Sequence, residues 1–199
     1  RLDLFELYPV ANHTRTVVPQ VYEHAERYGV DPNTELLIHN TGNQVTGGWG
    51  DISKVVEWYR RIDLVVGFAV EINETHEMDD IVLPSPTYLE GNSFHGGGHG
   101  DPPAGEAVAF HQVSQKVVEP PSSVRNPSEV MMEIYDRAGI LDDIYLALNR
   151  SLALKPPYLL EQGTRYSEEE MTDRQCKSHF GEEHGWEWFK EHGVLVWGR

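Results

Sequence analysis

Three short apolar runs near the start of the chain constrain its fold more than any other feature. They lie between Glu35 and His39, between Asp63 and Phe68, and between Asp80 and Leu83. Continuous apolar runs of this length are typical of strands that are buried on both faces of a parallel sheet. Pro84 ends the third run, because proline lacks the backbone donor that a central ladder requires.

The segments around these runs have helical patterns. Apolar residues recur at helical spacing over residues 51–61, where Asp51 is placed to cap the helix, and over residues 18–28. Strands that alternate with helices form parallel sheets with right-handed crossovers. The sequence therefore predicts an α/β fold with a mostly parallel sheet flanked by helices.

The second half of the chain is predicted to form a helical C-terminal annex. Helical patterns with start signals cover residues 128–138, 141–151, 167–180 and 184–192, while residues 107–118 and 194–197 are expected to be extended. Glycine and proline dominate the junction between the halves. We therefore assign an α/β dinucleotide-binding region to residues 1–90, a Gly/Pro-rich loop to 91–106, and a mostly helical extension of the same domain to 107–199.

The composition excludes several classes of function. The chain has 199 residues and a formal charge of −16, which repels phosphate backbones and anionic lipid heads, so no nucleic-acid partner is expected. Cys176 is the only cysteine, which excludes intramolecular disulfides and any thiolate zinc or iron–sulfur site built by this chain alone. The sequence has no cationic leader and no long apolar span, so we expect neither a targeting signal nor membrane insertion.

Several short motifs follow one another in a fixed order. They are Gly42-Asn43-Gln44, Leu64-Val65-Val66, Glu74-Thr75, Asp79-Asp80-Ile81-Val82-Leu83-Pro84, Thr87 to Glu90, Gln112 with Val118 to Pro121, and residues 128–139. Together they resemble the molybdopterin oxidoreductases of the dimethyl sulfoxide reductase family. The chain differs from the family pattern at Gln44, where relatives have proline, and at Asp79, where they have alanine. Ala69 stands where relatives place an aspartate near the guanosine, and Glu71 is the candidate replacement.

The resemblance implies a cofactor-binding fragment of a larger oxidoreductase. The matching region of the family is a central α/β domain that holds the guanosine and pyrophosphate of one molybdopterin guanine dinucleotide, whose pterin carries molybdenum or tungsten. The full-length enzyme would catalyse oxygen-atom transfer or a related two-electron reaction, as in anaerobic respiration, although some relatives catalyse non-redox hydration or hydroxyl transfer. The isolated fragment is expected to be inactive, to contain no catalytic residue and to carry no bound cofactor.

The resemblance also implies partners. These are the remaining domains of the parent subunit and an iron–sulfur electron-transfer subunit, in the cytoplasm or the periplasm. Within the chain itself, Trp186, Trp188 and Phe189 are expected to pack toward a domain that lies outside it. Apolar surface near Trp186 and Trp197 predicts self-association of the fragment.

Candidate cofactor-binding residues lie around the expected strand ends, where α/β sheets bind ligands. A loop of small polar residues lets a pyrophosphate approach backbone donors, and carboxylate or hydroxyl oxygens accept hydrogen bonds from guanine or ribose. The alternatives are an ordinary turn after the first strand and, for Asp80, the capping of neighbouring backbone donors. The candidates are Asn40, Thr41, Gly42, Asn43, Glu71, Glu74, Thr75 and Asp80.

Two other functions remain open at this level. One is a free-standing acidic α/β module that binds a nucleotide or a protein and catalyses no reaction. The other is metal chelation by His95, His99 and His111. Two histidines separated by flexible glycines are more often solvated loop residues, so we assign no metal ligand.

Overall fold

The computed structural model describes residues 24–29, 33–48, 51–100 and 108–198. Tertiary contacts divide the chain into two compact units with a boundary between Ser85 and Pro86, which we call unit 1 and unit 2. The predicted α/β fold class is confirmed, because helices accompany a parallel sheet in unit 1. Among the described helices, none has both the length and the apolar character needed to cross a membrane.

Unit 1 is built from alternating strands and helices. In chain order they are helix α1 (Ala25–Tyr28), strand β1 (Leu36–Asn40), a π-helical turn (Gln44–Gly48), helix α2 (Ile52–Tyr59), strand β2 (Leu64–Ala69), a 3-10 turn (His76–Met78) and strand β3 (Ile81–Pro84). Helix α1 is the described end of the helix predicted at 18–28, and residues 18–23 lie outside the described residues.

The three strands form a parallel sheet in the order β1-β2-β3. Strand β2 lies in the middle and is buried from Val65 to Ala69. The expectation of strands buried on both faces is confirmed for β2 and wrong for β1 and β3, which are only partly buried. Ile81 of β3, for example, is 47% exposed. Within the described sheet β1 and β3 are edge strands, and an edge strand has one neighbour fewer to cover its side chains.

Helix α2 packs its apolar side against the sheet. Val55, Trp58 and Tyr59 of the helix form a buried cluster with Val65 of β2. The predicted cap is present, because the Asp51 side chain accepts a hydrogen bond from the Lys54 backbone N–H at 3.4 Å. One face of the parallel sheet is therefore anchored to a helix.

Unit 2 combines a second sheet with helices. Its elements are strand β4 (Ser93–Gly100), strand β5 (Val108–Ser114), helices α3 (Pro127–Arg137), α4 (Leu141–Ser151), α5 (Glu168–Phe180) and α6 (Trp186–His192), and strand β6 (Val194–Gly198). The strands pair antiparallel in the order β4-β5-β6. The helices match the predicted segments to within two residues at each end. Ser167 and Glu170 form a capping box at the start of α5.

The glycine-rich junction departs from the sequence prediction. A loop is expected at residues 91–106, but Ser93–Gly100 forms β4, while residues 101–107 lie outside the described residues. Strand β4 pairs with β5 along its length, with an irregularity between Gly96 and Gly98. Glycine is a poor strand former, yet its backbone carries the donor and acceptor of the ladder in full. Pairing with a neighbouring strand has overridden local propensity here.

Unit 2 has two buried clusters. Val113, Cys176, Trp186 and Phe189 form one, and Tyr145, Leu154 and Leu160 form the other. Trp186 and Phe189 are 5% and 0% exposed, so the expectation that they pack toward a domain outside the chain is wrong. They fill the core of their own unit because α6 lies against β5 and α5.

Candidate functional site

The loop after β1 begins with two residues in the left-handed region. Thr41 has φ of 52° and Gly42 has φ of 93°. Glycine adopts such angles freely, but a β-branched threonine there is an outlier that stores backbone strain. The Thr41 N–H donates to the Phe68 carbonyl at 2.9 Å, which holds the loop at the carboxyl end of β2. Strain of this kind concentrates at functional sites.

A hydrogen-bond network joins this loop to the segment that follows β2. The Asn43 amide donates to Glu74 Oε2 at 2.5 Å, and the Thr75 hydroxyl donates to Asn43 Oδ1 at 2.9 Å. The hydroxyl also accepts from the Val45 N–H at 2.9 Å, and Thr75 is completely buried. Asn43, Glu74 and Thr75 are therefore fixed relative to one another, as the sequence hypothesis requires of residues that share a site.

Asn73 reinforces this network, although it is not among the predicted residues. Its side-chain amide donates to the Gly42 carbonyl at 3.2 Å. Its Oδ1 accepts from the Thr75 N–H at 3.0 Å, which is an Asx-type turn. The position of Asn73 immediately before Glu74 and Thr75 is the sequence signal that was available for it.

Glu74 is the exposed carboxylate of the network. A hydrogen bond from its own backbone, and then the amide of Asn43, lower the pKa of Glu74 below its usual value. The side chain is therefore a fixed anion at neutral pH. Its Oε2 accepts from the Asn43 amide and, at 3.4 Å, from the Thr46 hydroxyl, and the residue as a whole is exposed.

The other predicted residues, Asn40, Glu71 and Asp80, are not part of this hydrogen-bond network. Asn40 ends β1 and is exposed, and Glu71 is exposed beyond the end of β2, without a hydrogen bond to the network. Asp80 lies at the opposite end of the sheet, where its Oδ2 accepts from the Val65 N–H at 2.8 Å. About 13 Å of strand separates Val65 from Ala69 at the carboxyl end of β2. Asp80 therefore caps a strand start, as in the alternative interpretation, and the structure does not bring it together with the other candidates.

The chemistry of this edge is mainly that of hydrogen-bond acceptors. Residues 33–48 and 64–85 contain no lysine or arginine. The backbone N–H groups of Gly42 and Asn43 have no acceptor among the described residues, and so remain available as donors. Such an edge suits a ligand that carries N–H and O–H groups, with two backbone donors for an anionic group.

Unit 2 offers a different concavity. A groove of about 420 Å³ is lined by residues of α3, α4 and α5. Five of its charged groups form the ion pairs Arg125–Glu133, Arg137–Glu133 and Arg165–Asp136, and the carboxylates of Glu129 and Glu168 also line it. Since most of these groups are paired within the chain, the groove has less unused binding chemistry than the sheet edge of unit 1.

The histidines considered for metal chelation lie on two paired strands of unit 2. His95 and His99 belong to β4, where their backbones pair with Gln112 and Ala109, so they do not lie in a flexible loop. The ring of His111 contacts Phe180, and burial, followed by the nearby His179, lowers the pKa of His111. The structure does not test metal binding by these three histidines, and our assignment of no metal ligand among them stays a prediction.

A second polar group, inside unit 1, was missed by sequence reasoning altogether. It consists of His39 at the end of β1, His76 in the 3-10 turn and Asp79 before β3. His39 lies 40 residues before Asp79, whereas His76 is only three residues before Asp79, and the three match no spacing motif. The one available signal was Asp79, because it replaces an alanine of the motif that the sequence otherwise follows.

Comparison with known proteins supports the fold. No protein-family model matches the sequence, and no curated protein matches it either. Among solved structures, the chain is similar to acetylene hydratase from Pelobacter acetylenicus, with 17% sequence identity and a TM-score of 0.60. The similarity covers 90% of this chain and 20% of the hydratase, so the chain spans about a fifth of that protein's length. At this identity the two share a fold.

Proposed function

We propose that this chain is a cofactor-binding part of a molybdenum or tungsten pterin enzyme, and that the carboxyl end of its parallel sheet contacts the guanosine of a molybdopterin guanine dinucleotide. The observation that carries the proposal is the network of Asn43, Glu74 and Thr75, which fixes a carboxylate at the edge of the sheet. Open α/β sheets bind nucleotides at this edge.

The donor and acceptor groups fit the purine end of such a cofactor. Guanine presents an N–H and an amino group on its Watson–Crick edge, and ribose presents hydroxyls. The exposed carboxylate of Glu74 would accept from these donors, and the lowered pKa of Glu74 keeps it charged. When bound, the cofactor would supply the metal and its redox or hydration chemistry, while this chain supplies position and orientation.

This edge of the sheet offers fewer suitable groups for the pyrophosphate than for the guanosine. The N–H groups of Gly42 and Asn43 are suitable donors, but residues 33–48 and 64–85, which include the strands and the loops of this edge, contain no lysine or arginine. Glu74 would repel a phosphate placed close to it. We therefore propose that cationic residues from the remaining domains of the parent protein neutralise the pyrophosphate.

Two independent similarities point in the same direction. The ordered motifs resemble a family in which some members catalyse hydration, and the fold is similar to that of a hydratase. Both concern a small part of a larger protein, so substrate, electron partner and reaction type belong to the parent. An oxidoreductase and a hydratase are both compatible with the same cofactor-binding role.

The parent protein that contains this chain provides the test. Mass spectrometry of its released cofactor should identify a guanine dinucleotide of the pterin, together with molybdenum or tungsten. The variants Glu74→Gln and Asn43→Ala should lower cofactor occupancy, because the first removes the charge of the accepting carboxylate and the second removes the amide that fixes it. Glu77→Gln is the matched control, because Glu77 is exposed three residues away and outside the network.

Two outcomes would contradict the proposal. The first is an active parent protein that contains neither pterin nor metal. The second is unchanged occupancy in both network variants. Binding of free GDP by the isolated chain, combined with a pterin-free parent, would instead favour the alternative of an acidic nucleotide-binding module.

A further inference from the structure

Three side chains in the interior of unit 1 bring potential metal-binding atoms together. One ligand atom from each of His39, His76 and Asp79 lies within 4.8 Å of the other two. His39 Nε2 and Asp79 Oδ1 are 2.8 Å apart, and the rings of His39 and His76 stack with centroids 5.3 Å apart. They form a compact group of two imidazoles and a carboxylate.

These side chains are buried with much of their hydrogen-bonding capacity unused. His76 is 3% exposed, and the side chains of His39 and Asp79 are 9% and 0% exposed. Within the part of the chain that the structure describes, both ring nitrogens of His76, Nδ1 of His39 and Oδ2 of Asp79 have no hydrogen-bond partner. Buried polar atoms are nearly always satisfied, and each exception is costly. Four such atoms in one group indicate that a binding partner belongs there.

Gly67 makes the space for this group. It pairs with His39 across β1 and β2. A Cβ at position 67 would lie 1.9 Å from Asp79 Oδ2 and 2.9 Å from His39 Nε2. Only glycine therefore permits the carboxylate and the imidazole to lie over the central strand. Any side chain at this position would displace them.

We propose that His39, His76 and Asp79 bind one divalent transition-metal ion of the zinc type. Two histidines with one carboxylate are an established ligand set for Zn²⁺, and also for Fe²⁺, whereas Mg²⁺ and Ca²⁺ prefer oxygen ligands. The ion would use nitrogen and oxygen atoms that are otherwise unpaired. It would also connect β1 to the segment before β3 across the central strand.

This site is separate from the proposed nucleotide contact. Its ligands lie inside unit 1, whereas Glu74 presents its carboxylate at the exposed edge. It is also separate from His95, His99 and His111 of unit 2. The inference does not depend on the pterin hypothesis, and each can fail alone.

Calorimetric titration of the metal-free 199-residue chain with Zn²⁺ tests the proposal. We expect one ion to bind per chain at micromolar concentration or tighter. Asp79→Asn and His76→Gln, which keep the size of each side chain, should each weaken binding by more than about 10-fold. The double variant His95→Ala/His99→Ala and the single variant His184→Ala are controls for adventitious histidine binding and should keep wild-type affinity.

A second measurement remains informative if a variant fails to fold. X-ray absorption at the zinc edge of the wild-type complex should show scattering from two imidazoles and one oxygen ligand. No zinc binding in the micromolar range would overturn the proposal. So would wild-type affinity in folded Asp79→Asn and His76→Gln, loss of binding in the His95/His99 variant, or a spectrum without two imidazoles. Any of these results would leave His39 and Asp79 as a buried hydrogen-bonded pair.

Discussion

Unit 1 and unit 2 bury different kinds of side chain. Among the described residues, the three that are polar or charged and buried as whole residues, namely Thr75, His76 and Ser85, all belong to unit 1. The buried clusters of unit 2 are formed by aromatic and aliphatic residues with the thiol of Cys176, and its ion pairs lie at the surface.

This difference coincides with the location of the two proposed sites. A unit held together by apolar packing can tolerate many surface changes, because its stability depends on buried area. A unit that buries unpaired imidazoles and a carboxylate is less stable than an apolar core of the same size, and such groups persist where they serve a site. Both sites that we propose lie in unit 1.

The largest expected effect concerns the apolar interior of unit 2. Cys176 is completely buried, and desolvation, followed by the charge of Asp173, raises the pKa of its thiol to about 12. At pH 8 the thiolate fraction is then about 1,000-fold smaller than for an ordinary cysteine, since each pKa unit is a factor of ten. Iodoacetamide should therefore alkylate the native chain about 1,000-fold more slowly than the chain in urea, as measured by mass spectrometry.

The same shift predicts a pH dependence of stability. The pKa of Cys176 is higher in the folded chain than in the unfolded chain. The buried, protonated thiol therefore contributes fully to the free energy of unfolding below about pH 9, and this contribution is lost as the pH rises toward 12. Urea titrations between pH 8 and pH 11 should show this decline. Rapid alkylation of the native chain, with no decline in stability, would contradict the dry interior that distinguishes unit 2.

The second-largest expected effect is a loss of stability when Gly67 of unit 1 is replaced. Gly67→Ala should lower the free energy of unfolding by about 3 kcal/mol, because the new methyl group collides with Asp79 and His39. Gly91→Ala in unit 2 is the matched control, since its nearest neighbour would be 3.6 Å away. It should change stability by less than about 0.5 kcal/mol. Equal effects in urea unfolding would mean that the buried polar group does not constrain β2.

A smaller effect is expected at the polar network of the sheet edge. Thr75→Val removes a buried hydroxyl, which leaves the Val45 N–H without its acceptor and leaves Asn43 Oδ1 with only the Thr46 N–H at 3.4 Å. This should cost about 2 kcal/mol of stability. Thr46→Val is the control, because the exposed Thr46 hydroxyl makes only a 3.4 Å contact with Glu74. If both variants unfold at the same urea concentration, the network does not fix the loop.

The smallest expected loss of stability comes from a capping interaction at the surface of unit 2. Ser167→Ala removes the capping box of α5 and should cost about 1 kcal/mol. Ser151→Ala, at the exposed end of α4, removes only a 3.3 Å contact with the Leu148 carbonyl and should be nearly neutral. Thermal unfolding distinguishes the two. A larger loss of stability in Ser167→Ala than in Thr75→Val would mean that the surface cap of unit 2 contributes more than the interior hydroxyl of unit 1, contrary to this prediction.

The sequence was most informative where a local pattern decides the structure. Helix α4 was predicted at residues 141–151 and is found at Leu141–Ser151, since apolar spacing is a local property of a helix. The loop of Asn43 was correctly related to Glu74 and Thr75, because parallel strands bring their carboxyl ends to one edge. Strand β4 was missed, because its pairing partner, not its own glycines, makes it a strand.

By itself, the sequence determined the alternation of strands and helices in unit 1, the helix limits of unit 2 to within two residues, and the polar residues that follow β1 and β2. These features depend on periodicity, capping and turn chemistry within short segments. Only the tertiary structure decided that Asp80 caps a strand start and that His39, His76 and Asp79 meet over Gly67. Contacts between residues about 40 positions apart depend on strand register and on close approach at a single glycine, and no local pattern encodes either.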